Sequence, residues 1–142
     1  MTHMKIKAAF IFLLFALSAV GAFGQAVEDS SRRTIGYISS SGTVEDSSRR
    51  TLGYIKDNGT IEDSSRRTLG YIKENGMVED SSRRTLGYVN PNGSVENSSH
   101  STLGYVNSNG RVDDGSRRTI GYAEGIKAEH AALFFFFFFG NK

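Results

Sequence analysis

"VEDSSRRTLGYIKDNGT" fills residues 44–60, between the near-copies "VEDSSRRTIGYISSSGT" and "IEDSSRRTLGYIKENGM". Six copies begin at Val27, Val44, Ile61, Val78, Val95 and Val112, always 17 residues apart. So short a period excludes helical-hairpin repeats, which need over about thirty residues. It suffices for two short strands and two turns. Val, Ile, Thr and Tyr fill the segments between clusters of Gly, Asn, Asp and Ser, the composition of strands and turns.

One turn can be read in detail. Asp57-Asn58-Gly59, Glu74-Asn75-Gly76, Pro91-Asn92-Gly93 and Ser108-Asn109-Gly110 are equivalent, with Ser40-Ser41-Gly42 as the first copy. Asn-Gly alone suggests a two-residue type I′ hairpin. Pro91 excludes it, because proline would stand where the flanking pair needs an N–H. A type I turn accepts proline at its first central position, with the glycine following in the left-handed region. The spacing therefore predicts three-residue loops closed by a glycine bulge.

That loop sets Ile55 opposite Ile61 and Tyr54 opposite Glu62. Alternation places Gly53 and Ile55 on one face, Leu52 and Tyr54 on the other. Both faces carry apolar groups, so each hairpin is expected to pack against neighbours. The repeated glycine (Gly36, Gly53, Gly70, Gly87, Gly104, Gly121) weakens a strand unless something comes close. A tyrosine ring is the expected visitor. The tyrosines (Tyr37, Tyr54, Tyr71, Tyr88, Tyr105, Tyr122) are read as an interlocking core rather than a ligand platform.

Such units either stack as a solenoid or close into a ring. A solenoid needs distinct polar caps, but the first and last copies share one core motif, and closure removes exposed edges. The predicted fold is all-β: a closed ring of about five short β-hairpins, with end strands "AVEDS" and "RRTIGYA" meeting. Residues 123–142 form the C-terminal closing segment. In it "IKAEHAAL" favours a short helix, and six phenylalanines, residues 134–139, favour a strand. Exposed, that run would invite aggregation, so it is expected to be buried.

The other end reads as an export signal. Lys5 and Lys7 precede the apolar run "AAFIFLLFALSAV", and "AFG" precedes Gln25. This is the layout of a cleavable signal peptide over residues 1–24, and its thirteen-residue apolar run is short for a membrane span, which needs about 20 residues. The expected mature domain is residues 25–142, periplasmic or secreted, without a transmembrane anchor. There is no cysteine, hence neither a lipid-carrying cysteine at the cut nor a disulfide. The mature part holds 15 acidic residues and 15 of the 17 basic ones, because Lys5 and Lys7 leave with the signal. Near-neutral charge argues against nucleic acid as a partner. A monomer is expected.

The repeated "VEDSSRRTIGYI..NGT", the exported start ending in "FGQ", and the tail "GYAEGIKAEHAALFFFFFF" together resemble the five-fold β-flower proteins, small secreted repeat proteins known from Bacteroidota. The resemblance covers essentially the whole mature chain. It implies a shape and no reaction.

Candidate chemistry rests on the arginine pairs Arg32-Arg33, Arg49-Arg50, Arg66-Arg67, Arg83-Arg84 and Arg117-Arg118; copy five has His100-Ser101 instead. In a ring they form a crown on one rim, able to hold carboxylate, sulfate or phosphate through bidentate contacts. The competing reading pairs each arginine with the Glu-Asp of its own unit. Adjacent Glu45 and Asp46 point to opposite faces and cannot flank one scissile bond. No nucleophile elbow, phosphate-binding glycine loop or metal-spaced histidine cluster appears, and His100 and His130 stand apart. The expectation is a non-catalytic exported structural or binding module, with no cofactor and no metal. An anionic glycan or cell-surface component is the candidate partner. The alternatives are a glycan- or peptide-acting enzyme, signalled by one cleft unlike the others near His100, and a membrane-active tail.

Overall fold

The structure, a computed structural model, describes residues 24–140; the leader read in residues 1–24 lies, but for Gly24, outside them. The first six strands are β1 (Gln25–Asp29), β2 (Thr34–Ile38), β3 (Thr43–Asp46), β4 (Thr51–Ile55), β5 (Thr60–Asp63) and β6 (Thr68–Ile72). The remaining six are β7 (Met77–Asp80), β8 (Thr85–Val89), β9 (Ser94–Asn97), β10 (Thr102–Val106), β11 (Arg111–Asp114) and β12 (Thr119–Tyr122). Each pairs antiparallel with its sequence neighbours, and β1 pairs with β12 to close the barrel. The joining register sets Glu28 opposite Tyr122 and Asp29 opposite Gly121. The count corrects the expectation of about five hairpins: twelve strands close, grouped into six units by six equivalent turns, four of them Asp-Ser-Ser, one Asn-Ser-Ser (Asn97-Ser98-Ser99) and one Asp-Gly-Ser (Asp114-Gly115-Ser116).

The two kinds of turn define the two ends of the barrel. At one end the Asn-Gly turns form three-residue loops. Lys56 N–H donates to Thr60 O at 2.9 Å, Gly59 N–H to Lys56 O at 2.9 Å, and Gly59 has φ +90°. Pro91 occupies the first central position, below a Gly93 N–H to Asn90 O bond of 2.9 Å. Ile55 faces Ile61 and Tyr54 faces Glu62, as the spacing predicts.

At the other end, Asp63-Ser64-Ser65-Arg66 repeats the same geometry without a glycine. Arg66 N–H donates to Asp63 O at 3.0 Å, and Arg66 takes φ 69°. Arg32, Arg49, Arg83, His100 and Arg117 share this left-handed backbone, which costs a non-glycine residue on the order of 1–3 kcal/mol. The aspartate compensates. Asp63 Oδ1 accepts from Ser65 N–H at 2.9 Å and from Arg67 N–H at 2.9 Å.

Next to these turns the register shifts at a β-bulge in every unit, such as Val44 opposite Gly53 but Glu45 opposite Thr51. The extra residue, Leu52, packs against the core instead of lying outside with Tyr54. Strict alternation therefore fails at Leu52, Leu69, Leu86, Leu103 and Ile120, because a bulge sets two residues against one.

The interior explains the glycines. Val27, Val44, Ile61, Val78, Val95 and Val112 are wholly buried, and each has a glycine opposite it. About eight strands give a barrel that its own side chains can fill. Twelve strands lined partly by glycine leave a hole. The C-terminal segment fills it: helix α1 (Ala128–Ala132) enters, and a π-helical turn (Leu133–Phe137) continues inside. Ala131, Ala132, Leu133 and Phe134 are buried. This element is helical, correcting the expected strand.

Each phenylalanine meets one glycine. Phe134 lies against Gly36, Phe139 against Gly53, Phe138 against Gly70, Phe137 against Gly87, Phe136 against Gly104 and Phe135 against Gly121. A Cβ on any of these glycines would come within 2.6–3.1 Å of a ring carbon. The six rings thus radiate to six units in one circuit, and the close visitor is phenylalanine rather than tyrosine. The tyrosines are half-buried and lie on the outer wall, which corrects their assignment to the core.

Candidate functional site: the outer wall and the arginine rim

The two arginines of each pair do different work. The first, held by its left-handed backbone, folds back over the tyrosine of the preceding unit. Arg49 Cζ sits 3.6 Å from the Tyr37 ring centroid, Arg66 3.7 Å from Tyr54, Arg83 3.7 Å from Tyr71 and Arg117 3.5 Å from Tyr105. Arg32 closes the circle, 3.6 Å from Tyr122. Each also reaches an acidic residue beside that ring, as in Arg66 Nη1 to Glu62 Oε1 at 3.2 Å and Arg83 Nη1 to Glu79 Oε1 at 3.1 Å. Such stacking contributes about 0.5–1 kcal/mol per exposed site.

Copy five keeps the pattern with an imidazole. His100 stacks on Tyr88 at 4.3 Å between centroids, and its Nδ1 lies 2.9 Å from Glu96 Oε1. Its deviation from arginine is thus a substitution within the stack. In copy six the wholly buried Asp113 takes the place of glutamate and accepts from Arg111 Nε at 3.1 Å and Asn107 Nδ2 at 3.0 Å.

The second arginine points away. Arg33, Arg50, Arg67, Arg84 and Arg118 each donate Nε–H to the aspartate four residues before them, at 3.0–3.2 Å. Their side chains are 81–84% exposed, whereas those aspartates are 22–27% exposed. The crown of ten arginines therefore resolves into five committed to the wall and five forming the outermost shell of one end. Every rim arginine is thus paired with the aspartate of its own unit, and each still presents its guanidinium to solvent. Exposed pairs of this kind contribute about 0–1 kcal/mol each.

The turn aspartates Asp29, Asp46, Asp63, Asp80 and Asp114 are held below the usual carboxylate range. The main cause is the N–H of the arginine four residues on; partial desolvation opposes it, and the serine N–H and the guanidinium add to it. Folding lowers these values, so their contribution is complete above the ordinary pKa of about 3.9. It is lost as the pH falls through the lowered folded values. Resistance to urea should therefore drop as the pH goes below about 4. Asp46→Asn, Asp63→Asn and Asp80→Asn together should flatten that drop, since Asn97 already makes the same turn bonds to Ser99 and Ser101. An unchanged pH profile in the triple variant would contradict this role.

The opposite end departs from the repeat. Lys127, Glu129 and His130 of the helix region face the Asn-Gly turns, and between them lies an open polar cleft of about 780 Å³ that also includes Lys56, Lys73 and Tyr71. Burial holds His130 below its ordinary pKa, Lys127 adds to that, and Asp57 opposes it. This cleft is lined by His130 and not by His100. Among the described residues no group of acidic, histidine or cysteine side chains is arranged to hold a metal ion.

No curated protein and no solved structure matches the chain. A family profile does, over residues 24–139, which spans every strand, the helix and all six phenylalanines. That family is described as five-fold, whereas this chain closes six units around six rings. The chain belongs to the 5-fold beta-flower protein family.

Proposed function

We propose that this protein is an exported, non-catalytic binding module that takes multivalent anions on its arginine rim, anionic glycans foremost. The observation that carries this reading is the ordering of charge. Five equivalent guanidiniums stand at 81–84% exposure above aspartates at 22–27%. Formal charge balances, but what a ligand meets first is cationic. Repetition supplies the affinity, because several weak contacts to one chain act in concert. A non-catalytic role follows from the same repetition: the charged groups of the wall come in copies and are engaged with one another. Export rests on the leader read in residues 1–24 and places the module in the periplasm or outside the cell.

A glycan array with a salt titration tests this. Binding to sulfated or carboxylated glycans should appear at low salt and fade as salt screens the rim. Arg50→Gln, Arg67→Gln and Arg84→Gln together should weaken it about tenfold or more while leaving the circular dichroism unchanged. Absence of binding at low salt, or binding indifferent to the three changes, ends the reading.

A further inference from the structure

The rim encloses something other than charge. At the Ser-Ser end the bulge residues Leu52, Leu69, Leu86, Leu103 and Ile120 are half-buried, and Ile35 is 37% exposed. Beneath them five of the six phenylalanines are likewise only half-buried. The three clefts at the Asn-Gly end are lined by residues of the turns and of the helix region, such as Lys127 and Glu129, and by no phenylalanine. One face of the barrel is therefore an apolar disc ringed by exposed guanidiniums.

We propose that this face docks on an anionic lipid surface, the disc entering the headgroup boundary and the rim arginines meeting lipid phosphates. An apolar patch flanked by basic side chains is the chemistry of interfacial attachment, and guanidinium matches phosphate bidentately. A second copy is disfavoured, because face-to-face packing would oppose two rings of arginine. The proposal shares the rim with the anion-binding reading and rests on it for the charge term alone; the disc is its own observation.

The test uses the chain from Gln25 onward, which holds every strand and lacks the apolar leader that would bind vesicles by itself. It should float with phosphatidylglycerol-containing vesicles at low salt, release at high salt, and ignore pure phosphatidylcholine. Leu69→Asp with Leu86→Asp should cut the floated fraction about tenfold while binding to heparin is retained. The three rim changes to glutamine should reduce both. Should the aspartate variant unfold, Leu86→Trp gives a second reading, since the chain has no tryptophan. Its emission should shift to the blue and be quenched by brominated lipid on anionic vesicles. Heparin binding without flotation overturns the lipid proposal and leaves the anion reading standing; loss of both overturns both. A dimer in light scattering that the aspartate changes break would assign the disc to a second copy instead.

Discussion

Ending the chain after Ala132 should abolish the folded barrel. The cut removes the buried Leu133 and all six phenylalanines, one of which lies against each of the six glycines. Cutting a fully buried phenylalanine such as Phe134 to alanine costs about 3–5 kcal/mol, and each of the five half-buried rings adds about 1.5–3 kcal/mol. A domain of this size is stable by about 5–15 kcal/mol in total. Together the six losses match or exceed that margin. The truncated chain should be unfolded or aggregated by circular dichroism and size-exclusion chromatography. Single changes should be graded: Phe136→Ala, opposite Gly104 at a would-be Cβ distance of 2.6 Å but only half-buried, should lose about 1.5–3 kcal/mol in urea unfolding. A soluble, equally stable truncation would show that the rings are not core.

Gly70→Ala should destabilise, although alanine in place of a mid-strand glycine ordinarily gains about 0.5–1 kcal/mol. The sign reverses because the new Cβ has no room. It would collide with the Glu79 carbonyl oxygen on one side and stand 2.7 Å from Phe138 Cζ on the other. Overpacking of this kind costs about 1–3 kcal/mol. Adding Phe138→Leu should restore only part of it, since the backbone carbonyl cannot retreat with the ring. A stabilising Gly70→Ala would mean that the strand and the plug are looser than described.

Much of this fold can be read from the repeat itself. The 17-residue period, the glycine-bulge loops and the meeting of the end strands all follow from local turn chemistry, with Pro91 selecting among turn types. Three features escape that reasoning. Leu52 turns inward because a bulge breaks alternation, and nothing in its own residue type announces a bulge. Arg66 adopts a backbone that favours glycine, yet Asp-Ser-Ser-Arg has the same length as Lys-Asp-Asn-Gly, so equal loop length was the available signal. The phenylalanine run lies outside the period and looks like a strand by propensity, but its length equals the number of glycines it fills. Of the site, the arginine crown was visible from spacing. Its division into stacked and exposed members was not, because it depends on that same left-handed backbone.

The account's central claim is one ring per glycine around a closed circle. Nuclear Overhauser contacts between phenylalanine ring protons and glycine α-protons test it directly. Each of Gly36, Gly53, Gly70, Gly87, Gly104 and Gly121 should contact a different ring, in the order Phe134, Phe139, Phe138, Phe137, Phe136 and Phe135. Glycine contacts to tyrosine rings instead, or several glycines sharing one phenylalanine, would contradict it.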